Sequence, residues 1–277
     1  MSTDAVVIDV PPNHAEVTNS SFTQYSPLPQ DGDSFRLLRV LPSPIALLPI
    51  QCKLYTTYIS REEDQYIAGS YVWGPPEPSK TILLDGKRFK VRENLFHFLR
   101  AFRNRHQSQV IWIDAICINQ EDVEERNHQV QVMKRIYSSA KCVNCWLGHD
   151  ADQKPPASRL GVSPVTDLWY LRRPIDKRSR QLEQAEHLVK AEYWTRMWIV
   201  QEFLLAKDLT LLVGKHKLSY HAFEDIVYFW ELRDIPDSIF SSKTFELIQF
   251  RLGQARHFEL LFEQFGMSPR SVPLDGI

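Results

Sequence analysis

Apolar and polar residues follow three rhythms along this chain. Residues 1–34 mix Pro, Ser, Thr, Asn, Gln and Asp without an apolar period, which predicts a flexible leader. From Phe35 onward, short runs rich in branched and aromatic residues take over. Phe35 to Val40, Ile50 to Tyr55 and Tyr66 to Val72 read as strands separated by proline-rich or charged connections. Thr81 to Leu84 and Arg88 to Val91 flank Asp85-Gly86, a dipeptide suited to the positive φ of a tight primed turn, and so read as a β-hairpin.

The period then lengthens. Leu95, Phe98, Leu99 and Phe102 recur at helical spacing and predict a helix from about Glu93 to Arg103. Val110 to Ile113 is a continuous apolar run ending at Asp114, which predicts a buried strand. Val123 to Tyr137 reads as a helix with Val130, Met133 and Tyr137 turned inward, and Cys142 to Leu147 as another strand. Strand, helix, strand with short connections implies a parallel crossover, hence an α/β core with a parallel sheet and helices on both faces. Residues 149 to 180 read as an inserted surface loop rich in Pro, Asp, Lys and Arg. Helices resume near Gln181, one to about Glu192 and another from about Thr195 to Ala206, before a strand Leu209 to Val213 closed by Gly214. Phe223 to Arg233 and Thr244 to Phe265 are amphipathic. The expected organisation is a leader (1–34), an α/β domain (35–214) carrying an N-terminal β-hairpin elaboration, and a helical C-terminal extension (215–277) packed on it.

Composition narrows the classes. With 277 residues, 43% hydrophobic and 24% charged, the chain is long enough for a sizeable core. Lys and Arg (33) balance Asp and Glu (34), which leaves no global basic field to attract nucleic acid, although a local patch remains compatible with this balance. No apolar stretch approaches the roughly 18 to 20 residues of a membrane span, and the N-terminus lacks the basic region of a secretory signal, so a cytoplasmic protein is expected. The four cysteines read as reduced core thiols, Cys142-Val-Asn-Cys145 included, because no second pair stands at zinc-site spacing. Only 10 glycines are present and neither a dinucleotide fingerprint nor a P-loop occurs: Gly69 to Gly74 has suggestive glycine spacing but continues into Pro75-Pro76. Signatures of zincins, zinc deaminases and serine hydrolases are likewise missing, and no metal site is expected.

Three blocks stand out: Tyr66-Ile-Ala-Gly-Ser-Tyr-Val-Trp-Gly74, Trp112-Ile-Asp-Ala-Ile-Cys-Ile-Asn-Gln120 continuing to Glu125-Arg126, and Tyr193-Trp-Thr-Arg-Met-Trp-Ile-Val-Gln-Glu202. Together, in this order and over roughly Phe35 to Gly214, they resemble the HET domain of fungal heterokaryon incompatibility proteins. Gly69 departs from that pattern, since the family usually has a bulkier aliphatic residue before the Ser-Tyr. The HET family is in turn similar to TIR domains: Ala68 to Gly74 looks like the first TIR strand, Trp112-Ile-Asp114 like the TIR strand ending in an acid, and Trp198 to Glu202 keeps the Trp-x-x-x-Glu spacing in which the TIR glutamate is catalytic. The 149–190 insert departs from TIR spacing. The resemblance implies a TIR/flavodoxin-like fold and a role in nonself recognition and programmed cell death. It also implies homo-oligomerisation on activation and an upstream receptor or allelic incompatibility partner. No bound cofactor is implied; NAD is the implied substrate.

The residues support a site of their own. In an open parallel sheet, ligands gather beyond the carboxyl ends of strands, where Ser70, Tyr71 and Trp73 follow one strand and Asp114 to Gln120, with Asn119, follow another. Glu202 lies one helical turn after Trp198 among apolar neighbours, with no Lys or Arg at i±3 or i±4 to neutralise it. As a catalytic carboxylate it would stabilise the oxocarbenium-like state formed as nicotinamide leaves ribose. The structural alternative is a carboxylate bonded to loop amides or a distant arginine. Asp114 is expected either to bind ligand or to hold the loop through Gln120 by backbone N–H bonds. Asp122 and Glu125 resemble a capping box, and Arg126 is expected to pair with one of them. Ser70, Tyr71, Trp73, Asp114, Asn119, Arg126 and Trp198 are the candidate substrate-binding residues, and Glu202 the candidate catalytic one. Trp73, Trp194 and Trp198 read equally as core anchors, and Arg100, Arg103, Arg105 and His106 as a solvated basic helix end. The readings left open are an NAD-hydrolysing enzyme, a non-enzymatic oligomerising interaction module, and a degenerate homologue with neither role.

Overall fold

The segments that pattern as strands share one sheet. A computed structural model describes residues 25–148, 188, 191–196, 199–214 and 216–223. Its elements are β1 (Ser34–Val40), β2 (Gln51–Tyr58), β3 (Ile67–Tyr71), β4 (Ser79–Leu84), β5 (Lys87–Arg92), α1 (Glu93–Phe102), β6 (Gln109–Trp112), α2 (Asp114–Cys117) and α3 (Val123–Ser139). There follow β7 (Cys142–Trp146), a 3-10 turn (Glu192–Thr195), α4 (Ile199–Leu204), β8 (Leu209–Val213) and β9 (His216–Ser219). The result is a mixed α/β fold. Among the described residues the strands form a single sheet in the order β5-β4-β2-β1-β6-β3-β7-β8-β9.

The parallel sheet expected from the crossovers is its centre. β3 pairs parallel with β6 and β7, and β7 parallel with β8. On either side the pairing turns antiparallel, β1 with β2 and β6 and β8 with β9. The β4–β5 hairpin is joined to the same sheet, because β2 pairs parallel with β4 through Gln51 and Cys52. Its turn has the chemistry its dipeptide implied: Asp85 at φ 51° and Gly86 at φ 78°. Pairing of β8 with β9 was not foreseen, and it places a strand where the C-terminal extension was expected to be helical. Residues 224–277 lie outside the described residues, as do the leader over 1–24 and nearly all of the 149–190 insert. The packed chain begins before Phe35: Tyr25 donates its hydroxyl to the Ile116 carbonyl at 2.9 Å, and Arg36 donates to the Ser26 carbonyl at 2.6 Å.

Helices cover both faces. On one, Phe98 of α1 stacks on Trp146 at 5.7 Å and 12° and meets Tyr71 at 5.9 Å. On the other, Tyr137 of α3 meets Trp112 edge-on at 5.5 Å and donates its hydroxyl to the Gly69 carbonyl at 3.2 Å. Gly69 is where α1 closes on the sheet. A Cβ there would overlap Ile113 Cδ1 and lie 2.9 Å from Phe98 Cε1, so the volume of a bulkier residue is already filled by these two side chains.

The cysteines are free, and burial pushes the Cys52 and Cys117 thiols up to about 12, which leaves them as unreactive packing groups. No described helix is long and apolar enough to cross a membrane.

Candidate functional site

The chain runs from β3 across to β6 on one side and later returns to β7 on the other, so the sheet reverses its winding direction between β3 and β7. Crevices beyond the carboxyl ends of strands at such a point are where open α/β sheets bind ligands. Ser70 and Tyr71 end β3 at this place, and Asp114 follows β6 two residues beyond its end.

Glu202 arrives there from the far end of the sequence. It is only 1% exposed, and its Oε2 accepts a short hydrogen bond from Ser70 Oγ. The Ser70 hydroxyl also shares a hydrogen bond of 2.7 Å with the Tyr193 hydroxyl. A cation accompanies the carboxylate, as the structural alternative of an arginine from beyond the i±3 and i±4 positions had it. Arg196 donates Nη1 to Glu202 Oε2 at 2.6 Å and Nη2 to Oε1 at 2.8 Å, a bidentate pair, while Nη1 also reaches Ser70 Oγ at 3.2 Å.

The physical reason lies in the backbone. A continuous helix from Thr195 would have carried Arg196, six residues before Glu202, away from its face. Instead the 3-10 turn ends at Thr195 and Arg196 is extended (φ −72°, ψ 139°), so its side chain can fold back onto the carboxylate. Arg196 remains 17% exposed, which makes it the link between Glu202 and solvent. Burial lowers the Arg196 pKa, but the adjacent Glu202 charge more than restores it and the net displacement is upward.

Asp114 extends the cluster. Its Oδ2 accepts from Trp73 Nε1 at 2.8 Å and its Oδ1 from the Ala115 amide at 2.8 Å. Burial raises its pKa, the Arg196 charge opposes this, and the Glu202 charge adds to it. Burial first holds Tyr71, Tyr137 and Tyr193 well above the ordinary tyrosine value; next come Asp114 for Tyr71, Glu202 for Tyr137, and Cys145 followed by Glu202 for Tyr193. The result is a buried constellation of Ser70, Tyr71, Asp114, Tyr193, Arg196 and Glu202 in which one guanidinium pairs with Glu202 and its charge also reaches Asp114.

The remaining predicted residues separate into positions around and away from this cluster. Trp73 is half-buried, bonded to Asp114 and covered by Arg92, whose guanidinium lies 5.0 Å from the ring centroid. Asn119 belongs to the neighbouring loop and Arg126 to the first turn of α3 that follows it. Arg126 donates to the Gln120 carbonyl at 3.0 Å, and Gln120 donates its side-chain amide to the Asp114 carbonyl at 2.9 Å. The expectation that Asp114 holds this loop through its carboxylate is corrected. Glu125 does so, accepting from the Asn119 amide at 2.7 Å while pairing with buried Arg36 of β1 at 2.6 and 2.9 Å. Arg36 takes the place expected for Arg126. The capping box is half formed: Asp122 accepts from the Glu125 amide at 3.0 Å, but the Glu125 carboxylate is committed to Arg36 and Asn119. Trp194 is a core anchor, stacked on Phe223 at 5.6 Å and 8°. Trp198 lies outside the described residues.

Sequence reasoning missed Tyr193 and Arg196 as members of the site. A signal existed: Arg196 is the one cation in the block from Tyr193 to Glu202, and a buried acid there has no other charge of opposite sign within the block.

Residues 66–202 match the family described as heterokaryon incompatibility protein (HET), a span that opens at β3 and closes on Glu202. Heterokaryon incompatibility protein 6, OR allele, of Neurospora crassa is 29% identical over 229 residues, covering 66% of this chain and 34% of that relative. The chain thus spans about a third of the length of that relative. No solved structure matches.

Proposed function

This chain belongs to the heterokaryon incompatibility (HET) family, and from that premise we propose that it acts in fungal nonself recognition, triggering programmed cell death through hydrolysis of NAD at Glu202. The observation that carries this reading is the meeting of Glu202 with Ser70 at the point where the sheet reverses its winding. In order of appearance, the parallel strands β6-β3-β7-β8 run second, first, third, fourth, which supports a flavodoxin-like and TIR-like core. In the reaction, the ribosyl–nicotinamide bond breaks, nicotinamide leaves neutral, and water adds to the ribosyl cation to give ADP-ribose and a proton. Glu202 is the group that stabilises the cation, as carboxylates do in glycoside cleavage. Arg196 opposes this while it holds Glu202, so catalysis requires the guanidinium to exchange the carboxylate for the diphosphate of the substrate. Assembly of several copies, prompted by a receptor or an allelic partner, is the event to which we assign that exchange.

A second reading is favoured by one observation, the 1% exposure of Glu202 within a bidentate ion pair. On that reading the cluster is a structural lock and the domain signals by assembly alone. Nicotinamide release from NAD separates the two, measured on wild type and Glu202→Gln, each free and fused to an oligomerising scaffold. Release by assembled wild type and its loss in Glu202→Gln are expected. Equal silence of both assembled, folded proteins assigns the domain to interaction.

A further inference from the structure

The connection between β1 and β2 carries an apolar tip that the core does not use. Leu47 is 95% exposed, Ile45 55% and Leu48 48%, the largest cluster of exposed apolar side chains among the described residues. The tip is built, not loose. Pro42, Pro44 and Pro49 frame it, and Arg103 at the end of α1 reaches beneath it. The Arg103 guanidinium donates to the carbonyls of Ala46 (2.8 Å), Leu48 (2.9 Å), Pro49 (3.1 Å) and Ile45 (3.4 Å). The Leu48 amide donates to the Ile45 carbonyl at 3.3 Å, the Ile45 amide to Ser43 Oγ at 3.3 Å, and the Ser43 amide to the Asn104 carbonyl at 3.2 Å. These bonds hold the loop in one shape, with Arg103 supplying most of the partners of its carbonyls. A loop fixed in this way can rest its side chains in the interfacial layer, where headgroup water still reaches backbone groups.

The surroundings add a charge. No Asp or Glu occurs from Ser34 to Arg61 or from Asn94 to Ile113, the two stretches that form the tip and its support, although the whole chain is nearly neutral. Arg39 and Lys53 stand opposite one another at the base of the loop, both exposed, and Arg100, Arg105 and His106 adjoin Arg103 at the end of α1. One acid reaches β2 from another strand: Asp85 of the β4–β5 turn, whose Oδ1 accepts from the Leu54 amide at 3.3 Å.

A fixed apolar tip flanked by cations matches the interface of an anionic bilayer, where the side chains enter the acyl boundary and the cations meet the headgroups. We propose that the Ile45–Leu48 tip docks this protein peripherally on anionic phospholipid surfaces. An acidic protein surface would meet the cations but would offer Leu47, at 95% exposure, no apolar phase to enter.

The test uses the whole chain with vesicles of phosphatidylcholine alone or phosphatidylcholine with phosphatidylserine, read by co-sedimentation. Binding that requires phosphatidylserine and weakens with salt is expected. Leu47→Glu should reduce it roughly tenfold or more, and Arg105→Ala about fivefold. Because Leu47 is almost wholly exposed, both it and Leu47→Ser should leave thermal unfolding unchanged. A fluorophore on Leu47→Cys should shift to shorter wavelength with the anionic vesicles. Absence of vesicle binding would overturn the proposal, as would binding indifferent to Leu47→Glu. A concentration-dependent dimer that Leu47→Glu abolishes, without vesicle binding, would reassign the tip to a second copy of the chain.

Discussion

Replacing Arg196 by alanine tests whether the cluster is held together as its geometry requires. The change removes both donors to Glu202, at 2.6 and 2.8 Å, and leaves a carboxylate with 1% exposure facing the Ser70 hydroxyl alone. Breaking a buried ion pair from one side costs about 3–5 kcal/mol, chiefly through the uncompensated charge. Arg196 is 17% exposed, so water can enter part of the vacated space and the lower end, about 3 kcal/mol, is expected here. In a domain of this size that lowers Tm by about 6–12 °C. Glu202→Gln should cost less, about 1–2 kcal/mol, because the freed guanidinium is the partner that can reach water. The double variant Arg196→Met/Glu202→Leu should lie within about 1 kcal/mol of wild type, since replacing both members of a buried pair by apolar groups removes the need for either. Urea unfolding followed by tryptophan fluorescence would give all three values, and a cycle closed with the single variants Arg196→Met and Glu202→Leu should show a coupling of about 2 kcal/mol or more. If Arg196→Ala lies within about 0.5 kcal/mol of wild type, or the cycle is additive, the cluster is not an ion-pair lock and the reasoning is wrong.

Two further outcomes follow from the packing and the carboxylates. Gly69→Ala should destabilise by about 1–3 kcal/mol through overlap with Ile113 Cδ1 and Phe98 Cε1. Ile113→Val, which removes the nearest atom, should recover part of that loss in the double variant, and strict additivity in chemical denaturation would refute the account. The pH dependence divides by residue. Asp33 is held below its ordinary value of 3.8, first by the Ser60 hydroxyl, so its contribution is present above 3.8 and lost as pH falls below it. Asp114 is raised, so its ionisation removes stability as pH rises from 3.8 through its folded value. Thermal melts across that range should therefore show a weaker acid-side loss in Asp33→Asn and a weaker decline above 3.8 in Asp114→Asn.

Sequence patterning located the elements because it depends on local rhythm. The Asp85-Gly86 turn, the α1 face of Leu95, Phe98, Leu99 and Phe102, and the strand from Cys142 all lie where their periods and turn residues put them. Ser70, Asp114 and Glu202 were legible as neighbours through the rule that sites form beyond strand ends and through the spacing of the Trp-Glu block. The partners were not legible. Arg196 binds Glu202 only because the chain is extended at Arg196, a break that helical spacing cannot show. Arg36 reaches Glu125 across 89 residues, and nothing in either local segment marks that choice over Arg126. Gly69, a departure from the family pattern, is a place where packing is completed by residues from two other segments. β9 escaped notice because His216-Lys-Leu-Ser219 is four residues long and mostly polar, and only its partner β8 makes it a strand.

The placement of β3 in the sheet has a consequence for synthesis. Its hydrogen-bonding neighbours on both sides, β6 and β7, are encoded after it, and β7 begins at Cys142 while β3 ends at Tyr71. At about 5–20 residues per second, the ribosome needs on the order of 4–14 seconds to deliver the second neighbour. The β1–β2 hairpin, by contrast, closes over a short connection and can form as it emerges. Until β6 emerges the nascent β3 has two open edges, and until β7 follows it keeps one, so β3 is the segment for which a holding chaperone has the longest time to compete.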